Sequence, residues 1–199
     1  MMNLNEIYNE LTTLSVKEGR PALIAVDGRC ASGKTSFARA FADGRDVNVF
    51  HMDDFFLRPE QRTAERLAEP GGNVDRERFD EEVLRPLLTG KPFTDRPFHC
   101  HGMCFGEPIE VTPKAVNLIE GSYSCHPLLR ERYDRRLFLT VDPIEQQRRI
   151  LERNGAEMLE VFRSTWIPLE ELYFSACAVP ECCEVCRYDI MDNGILIDE

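Results

Sequence analysis

No apolar run in this chain approaches the roughly 18 residues that a membrane-spanning helix requires. The stretch from Met1 to Leu14 also lacks the basic start and apolar core of a signal peptide. Basic residues are too few to balance the acids: Lys and Arg number 24 against 35 Asp and Glu, a formal net charge of -11. The average field therefore repels polyanions, which argues against broad binding to nucleic acid or anionic membranes and confines any phosphate site to a local feature. There is no internal repeat, low-complexity tract or flexible linker in the 199 residues, which are 43% hydrophobic and 30% charged. Such a composition predicts one globular domain over 1–199 and reads as cytoplasmic. With no export signal, the eight cysteines are expected as free thiols rather than disulfides. Two clusters, His99-Cys100-His101 with Cys104 and Cys177 with Cys182, Cys183 and Cys186, lack the paired spacing of a zinc ribbon. They read as small buried hydrophobes.

What is present alternates between the periods of helix and strand. Leu4, Ile7, Leu11 and Leu14 share a helical face, which Gly19-Arg20-Pro21 ends. Ala22 to Val26 is a short apolar strand, followed by a glycine-bounded turn and a helix from Ser32 to Phe41. Further strands are expected at Val47 to Met52, Ala115 to Ile119 and Leu137 to Val141, with a last strand at the sheet edge from Gly194 to Asp198. Asp142-Pro143 predicts a capped helix from Pro143 to about Arg153, and Asp75 caps another in which Phe79, Val83 and Leu87 share a face. This order implies an α/β fold with a mostly parallel sheet and helices on both faces. Two polar stretches, Arg58 to Asp75 and Pro86 to Pro113, read as long irregular loops of the kind that serve function.

Gly28-Arg29-Cys30-Ala31-Ser32-Gly33-Lys34-Thr35 satisfies G-x-x-x-x-G-K-[ST] in full and lies between the expected strand and helix. Glycines let the backbone wrap closely around phosphate, and successive N–H groups with the helix N-terminus supply partial positive charge. Lys34 adds a full charge and Thr35 is placed to ligate Mg²⁺, so the nucleotide-binding set is Gly28, Cys30, Ala31, Ser32, Gly33, Lys34, Thr35 and Ser36. An acidic protein can bind ATP this way because the favourable field is confined to one loop.

The turn alone does not say where the γ-phosphate goes, since kinases, hydrolases and switches share it. Asp53 and Asp54 follow the second strand, where open α/β sheets bind ligands, and one of the pair is a candidate to take a proton from a substrate hydroxyl. Glu120 closes the third strand and is expected in the magnesium shell. Arg148, Arg149 and Arg153, with Arg163 beyond, are candidates to clamp a phosphoryl group, and Trp166-Ile167-Pro168 reads as the hinge of a mobile lid. No N-K-x-D guanine-reading motif supports a GTPase switch.

Taken together, these motifs resemble the uridine kinase branch of P-loop nucleoside and small-molecule kinases. The residues that carry the likeness are Asp27 to Thr35, Asp53 to Phe56, Asn73-x-Asp75 ahead of Phe79-Asp80, Glu120-Gly121 and Arg148 to Leu151. The resemblance implies a three-layer P-loop NTPase fold with acceptor-binding insertions about 58–113 and a small lid about 153–167. It implies an ATP- and Mg²⁺-dependent kinase acting on a small-molecule acceptor, most simply a nucleoside, and leaves homo-oligomerisation open. By the same resemblance Asp53 is the general base and joins Thr35 and Glu120 at the metal, while Lys34, Arg149 and Arg153 serve the transferring phosphate. Asp75, Phe98 and His101 would hold the acceptor. Arg96 stands where an aromatic is expected, and an arginine there suits an anionic acceptor such as a carboxylate or sugar phosphate.

Overall fold

The computed structural model describes residues 2–100, 102–189 and 194–197. A stub, β1 (Met2–Asn3), leads into α1 (Leu4–Glu18), which Asn3 and Glu6 cap reciprocally and Gly19 ends in the left-handed region. Strand β2 (Ala22–Gly28) is buried at every position and feeds the turn that opens α2 (Lys34–Ala42), after which comes β3 (Val47–His51). Beyond the short α3 (Ala64–Ala68), Asp75 caps a continuous rod made of α4 (Arg76–Phe79), a π-helical turn at Asp80–Leu84 and α5 (Arg85–Thr89). The stretch from Pro86 to Pro113, expected to be irregular, contains two nested antiparallel pairs. In the outer pair β4 (Phe93–Asp95) meets β7 (Ile109–Val111), and in the inner pair β5 (Phe98–His99) meets β6 (Cys104–Phe105). Phe98 packs edge-on against Phe105 at 5.5 Å and gives the inner pair an apolar centre.

The chain then runs through β8 (Val116–Glu120), β9 (Arg135–Leu139), α6 (Pro143–Val161), α7 (Ile167–Ala176), β10 (Glu184–Asp189) and β11 (Gly194–Ile197). Seven strands form one sheet in the order β1-β11-β10-β9-β2-β8-β3. The run from β10 to β3 is parallel throughout, and β11 and β1 close one side antiparallel. Alternate residues of the central strands face opposite layers, as the strand period of two requires. Leu23, Ala25, Ile119 and Phe138 pack with the α4–α5 rod and α7, whereas Ile24, Val26, Leu118 and Leu137 pack with α1 and α2. The result is the three-layer α/β arrangement, with the glycine-bounded turn 28–35 at the carboxyl end of β2, the middle one of the five parallel strands.

Several expected boundaries move. The fourth expected strand begins two residues early, at Arg135, because Arg135 reaches Glu10 and Glu184 while Arg136 donates to the Cys182 and Arg130 carbonyls. Strand β11 lies one position inside the edge, flanked by β10, which the sequence did not signal. Trp166-Ile167-Pro168 is not a break: a π-helical turn at Phe162–Trp166 runs straight into α7, whose first turn tolerates Pro168. The break in this region falls at Gly155, at φ 82° and ψ 172°, a conformation few residues besides glycine adopt. No helix among the described residues is long and apolar enough to cross a membrane.

Candidate active site

The glycine-bounded turn 28–35 is pinned where β2 passes β9. A Cβ on Gly28 would lie 2.1 Å from the Leu139 carbonyl oxygen, so only glycine permits this approach. The Arg29 N–H donates to that same carbonyl at 3.0 Å. Lys34 Nζ donates to the Gly28 and Arg29 carbonyls at 2.7 and 2.9 Å, which holds its ammonium inside the curve of the turn. Ser32 Oγ is buried with no partner among the described residues, a free polar group within the loop.

The parallel register sets His51 beside Glu120 at the carboxyl ends of β3 and β8. Glu120 Oε1 accepts from Thr35 Oγ1 at 3.1 Å and lies 2.6 Å from His51 Nδ1. That contact raises the His51 pKa, with burial working against it. A 3₁₀ turn at Met52–Phe55 follows, and it sends Asp53, not Asp54, into a cleft shared with Lys34, Thr35 and Glu120. Asp53 is open to the cleft yet closely walled by protein. Desolvation raises its carboxyl above the usual range, the Glu120 charge adds to this, and Lys34 pulls it back. Burial also raises Asp54. The hydroxyl of Thr35 and the carboxylates of Glu120 and Asp53 form a set of hard oxygen donors that suits Mg²⁺, which keeps waters and takes few protein ligands. Among the described residues no group of three or more His, Cys, Asp or Glu is placed to hold a metal by itself. No disulfide joins any of the eight cysteines among the described residues.

Two acids for which the sequence suggested no role organise the surrounding loops. Asp27, fully buried, accepts from the Gly28, Tyr123 and Cys125 N–H groups at 2.7, 3.2 and 2.8 Å and from the Tyr173 hydroxyl at 2.8 Å. Burial raises its carboxyl, and these donors oppose the rise. Glu170 on α7 is 5% exposed and accepts from Cys30 N–H at 2.9 Å and from Ser122 Oγ at 2.7 Å. On the other side of the turn, Gln146 Nε2 donates to the Cys30 carbonyl at 3.0 Å and Arg149 Nη1 to the Ala31 carbonyl at 3.1 Å. Residues 30 and 31 are thus clasped between α6 and α7. Under this clasp, burial followed by the Glu170 charge pushes the Cys30 thiol up to about 12.

The remaining expected site residues divide. Arg149 and Arg153 line the cleft, which encloses about 410 Å³. Arg148 instead pairs with Glu145 and Glu152 on the outer face, and Arg163 with Glu160. Asp75 is not in the cleft lining: its oxygens accept from Arg78 N–H and Gln61 Nε2 as the cap of α4, and Asn73 lines the cleft instead. Arg96 is turned onto the inner hairpin, with Nε donating to the Gly106 carbonyl at 2.9 Å and its guanidinium 5.0 Å from the centre of the Phe105 ring. Phe98 is buried against that same ring, so neither residue reaches the cleft lining. His101 lies outside the described residues. Phe56, Tyr123, Phe162 and Trp166 are cleft aromatics that the sequence did not single out for binding, because they come from three separated segments.

No family model matches the chain, and no curated protein does. Solved structures do. A protein described as a possible uridine kinase from Bacillus stearothermophilus superposes with a TM-score of 0.63 at 18% identity, covering 90% of this chain and 98% of that one. One provisionally described as a fructose transport system kinase, from Silicibacter sp. TM1040, gives 0.67 at 20%, covering 88% and 97%. D-glycerate 3-kinase from Cryptococcus neoformans var. grubii gives 0.62 at 14%, covering 98% of each. At these identities the likeness shows the fold alone, a three-layer α/β arrangement around a mostly parallel sheet.

Proposed function

We propose that this protein is an ATP-dependent phosphotransferase that moves the γ-phosphate to a hydroxyl of a small molecule, with a nucleoside such as uridine or cytidine as the leading acceptor. The observation that carries this reading is the meeting of Asp53 with Lys34 and the Thr35–Glu120 pair in a single cleft. A carboxylate facing the space beside the phosphates can orient a substrate hydroxyl and take its proton, as a kinase requires. Lys34 would hold phosphate oxygens, and Arg149 and Arg153 would face the charge that develops during in-line transfer. Magnesium, when bound, supplies charge neutralisation between the phosphates. Thr35, Glu120 and Asp53 would hold it. The segment about 153–167 would close as a lid, a reading supported by the break at Gly155 and by the cleft positions of Arg153, Phe162 and Trp166.

For the acceptor, Phe56, Tyr123 and Asn73 line the same cleft. Aromatic faces beside an amide suit a flat, neutral ring better than an anion. The test is ADP release from Mg–ATP across uridine, cytidine, other nucleosides, nicotinamide riboside, pantothenate, D-glycerate and simple sugars, with a no-acceptor control. Stimulation by a nucleoside supports the full reading, and stimulation only by an anionic compound or a sugar keeps the kinase and replaces the acceptor. Release equal to the control throughout, with turnover in the control, favours an ATPase or switch.

A further inference from the structure

Glu170 is a buried carboxylate with, among the described residues, no basic side chain within ion-pair distance. An isolated buried charge is costly unless its lone pairs are taken up. Here each oxygen has one donor, and the two donors belong to different walls of the cleft. Cys30 N–H is in the nucleotide turn, and Ser122 Oγ is two residues beyond the Glu120 carboxylate. The helix that carries Glu170 follows directly from the π-helical turn bearing Phe162 and Trp166, with no break between. Next along α7, Glu171 pairs with Arg29, so the helix holds consecutive residues of the turn. The backbone break in this region lies on the far side of the segment, at Gly155.

We propose that Glu170 is a positioning residue that couples the 156–166 segment to the nucleotide turn. It rests on the nucleotide-binding reading above. Through its two hydrogen bonds, a rotation of α7 that brings Phe162 and Trp166 over the cleft must also shift Cys30 and Ser122, and ordering of the turn by phosphate must shift α7. Because the coupling runs through hydrogen-bond geometry, glutamine should preserve it. Its oxygen accepts from Cys30 N–H while its amide donates to Ser122 Oγ, which can accept. Alanine should remove it.

The experiment is limited trypsin digestion at saturating Mg–ADP, following cleavage after Arg153 and Arg163, alongside calorimetric Mg–ADP binding and thermal unfolding. In the unmodified protein, nucleotide should slow cleavage about tenfold, the signature of local closure. Glu170→Ala should reduce that protection to less than about twofold even at saturation, and Glu170→Gln should retain it. A merely structural glutamate would lower the melting temperature without uncoupling protection from occupancy. Should the alanine variant fail to fold, Ser122→Ala cuts one of the two bonds and should lower protection to an intermediate level. Full protection in a folded Glu170→Ala, or loss in Glu170→Gln equal to that in alanine, overturns the proposal. Mg–ADP binding without protection in the unmodified protein also overturns it while leaving nucleotide binding intact; absence of Mg–ADP binding overturns the functional reading itself.

Discussion

Replacing Asp27 with asparagine keeps the size of a fully buried side chain and removes half of its acceptor capacity. Gly28 and Tyr123 N–H groups share Oδ1, while Cys125 N–H and the Tyr173 hydroxyl share Oδ2. An NH₂ in place of either oxygen therefore strands two donors. At about 1.5–3 kcal/mol for each hydrogen bond to a charged group, the gross loss is about 3–6 kcal/mol. Burying the charge is itself costly, as the raised Asp27 carboxyl reflects, and asparagine relieves that cost. The net loss should be about 2–4 kcal/mol, a large share of the stability of an ordinary domain. Urea unfolding followed through Trp166, the chain's one tryptophan, would read this as a lower midpoint at unchanged slope. Tyr173→Phe removes a single donor, and combined with Asp27→Asn it should cost less than it does alone, since the two side chains share one bond. A loss below about 1 kcal/mol for Asp27→Asn at constant slope would refute the view that this carboxylate ties β2 to the loop after β8.

Asp53→Asn should lower acceptor-dependent turnover about 10²–10⁴-fold while calorimetry finds Mg–ATP affinity within about threefold; retained turnover would remove Asp53 as the base. Arg96→Ala should leave the acceptor KM unchanged, because the guanidinium is spent on the Phe105 face and the Gly106 carbonyl. A several-fold rise with an anionic acceptor would show that the hairpin reaches the cleft during turnover. His126 is held down at about 4 by burial and then by Arg76, with Arg66 acting the same way and Glu77 and Glu69 opposing. The folded state then binds fewer protons than the unfolded chain between about pH 6.5 and pH 4, so this residue costs stability as pH falls through that window. His126→Asn should flatten the acid limb of stability against pH, and an unchanged limb refutes the assignment.

The parts of this site that the sequence made legible are those whose chemistry is local. The G-x-x-x-x-G-K-[ST] pattern sets glycines, lysine and a hydroxyl at fixed short spacings, and the structure places it between a strand and a helix as expected. The position of Glu120 at the cleft was readable because an acid ends a buried apolar strand. Glu170 was not, since its meaning depends on Cys30, which is 140 positions away. The nearby Trp-Ile-Pro drew attention to a break in the backbone, whereas the helix runs unbroken through it. Arg96 and Phe98 were expected in the cleft on the strength of a resemblance. Their actual partner, Phe105, became visible only once β5 and β6 were paired. The strand at Arg135 was placed late because charged residues obscure a strand whose arginines find carboxylates and carbonyls across the layers.

The sheet order also has a consequence for the protein as it is being made. Strand β2 emerges early, but its two hydrogen-bonding neighbours are β8 and β9, at Val116–Glu120 and Arg135–Leu139. At translation rates of about 5–20 residues per second, an apolar segment with both edges bare waits several seconds for its partners. During that interval neither neighbouring strand exists to cover it, and it is a natural stretch for a ribosome-associated chaperone to shield.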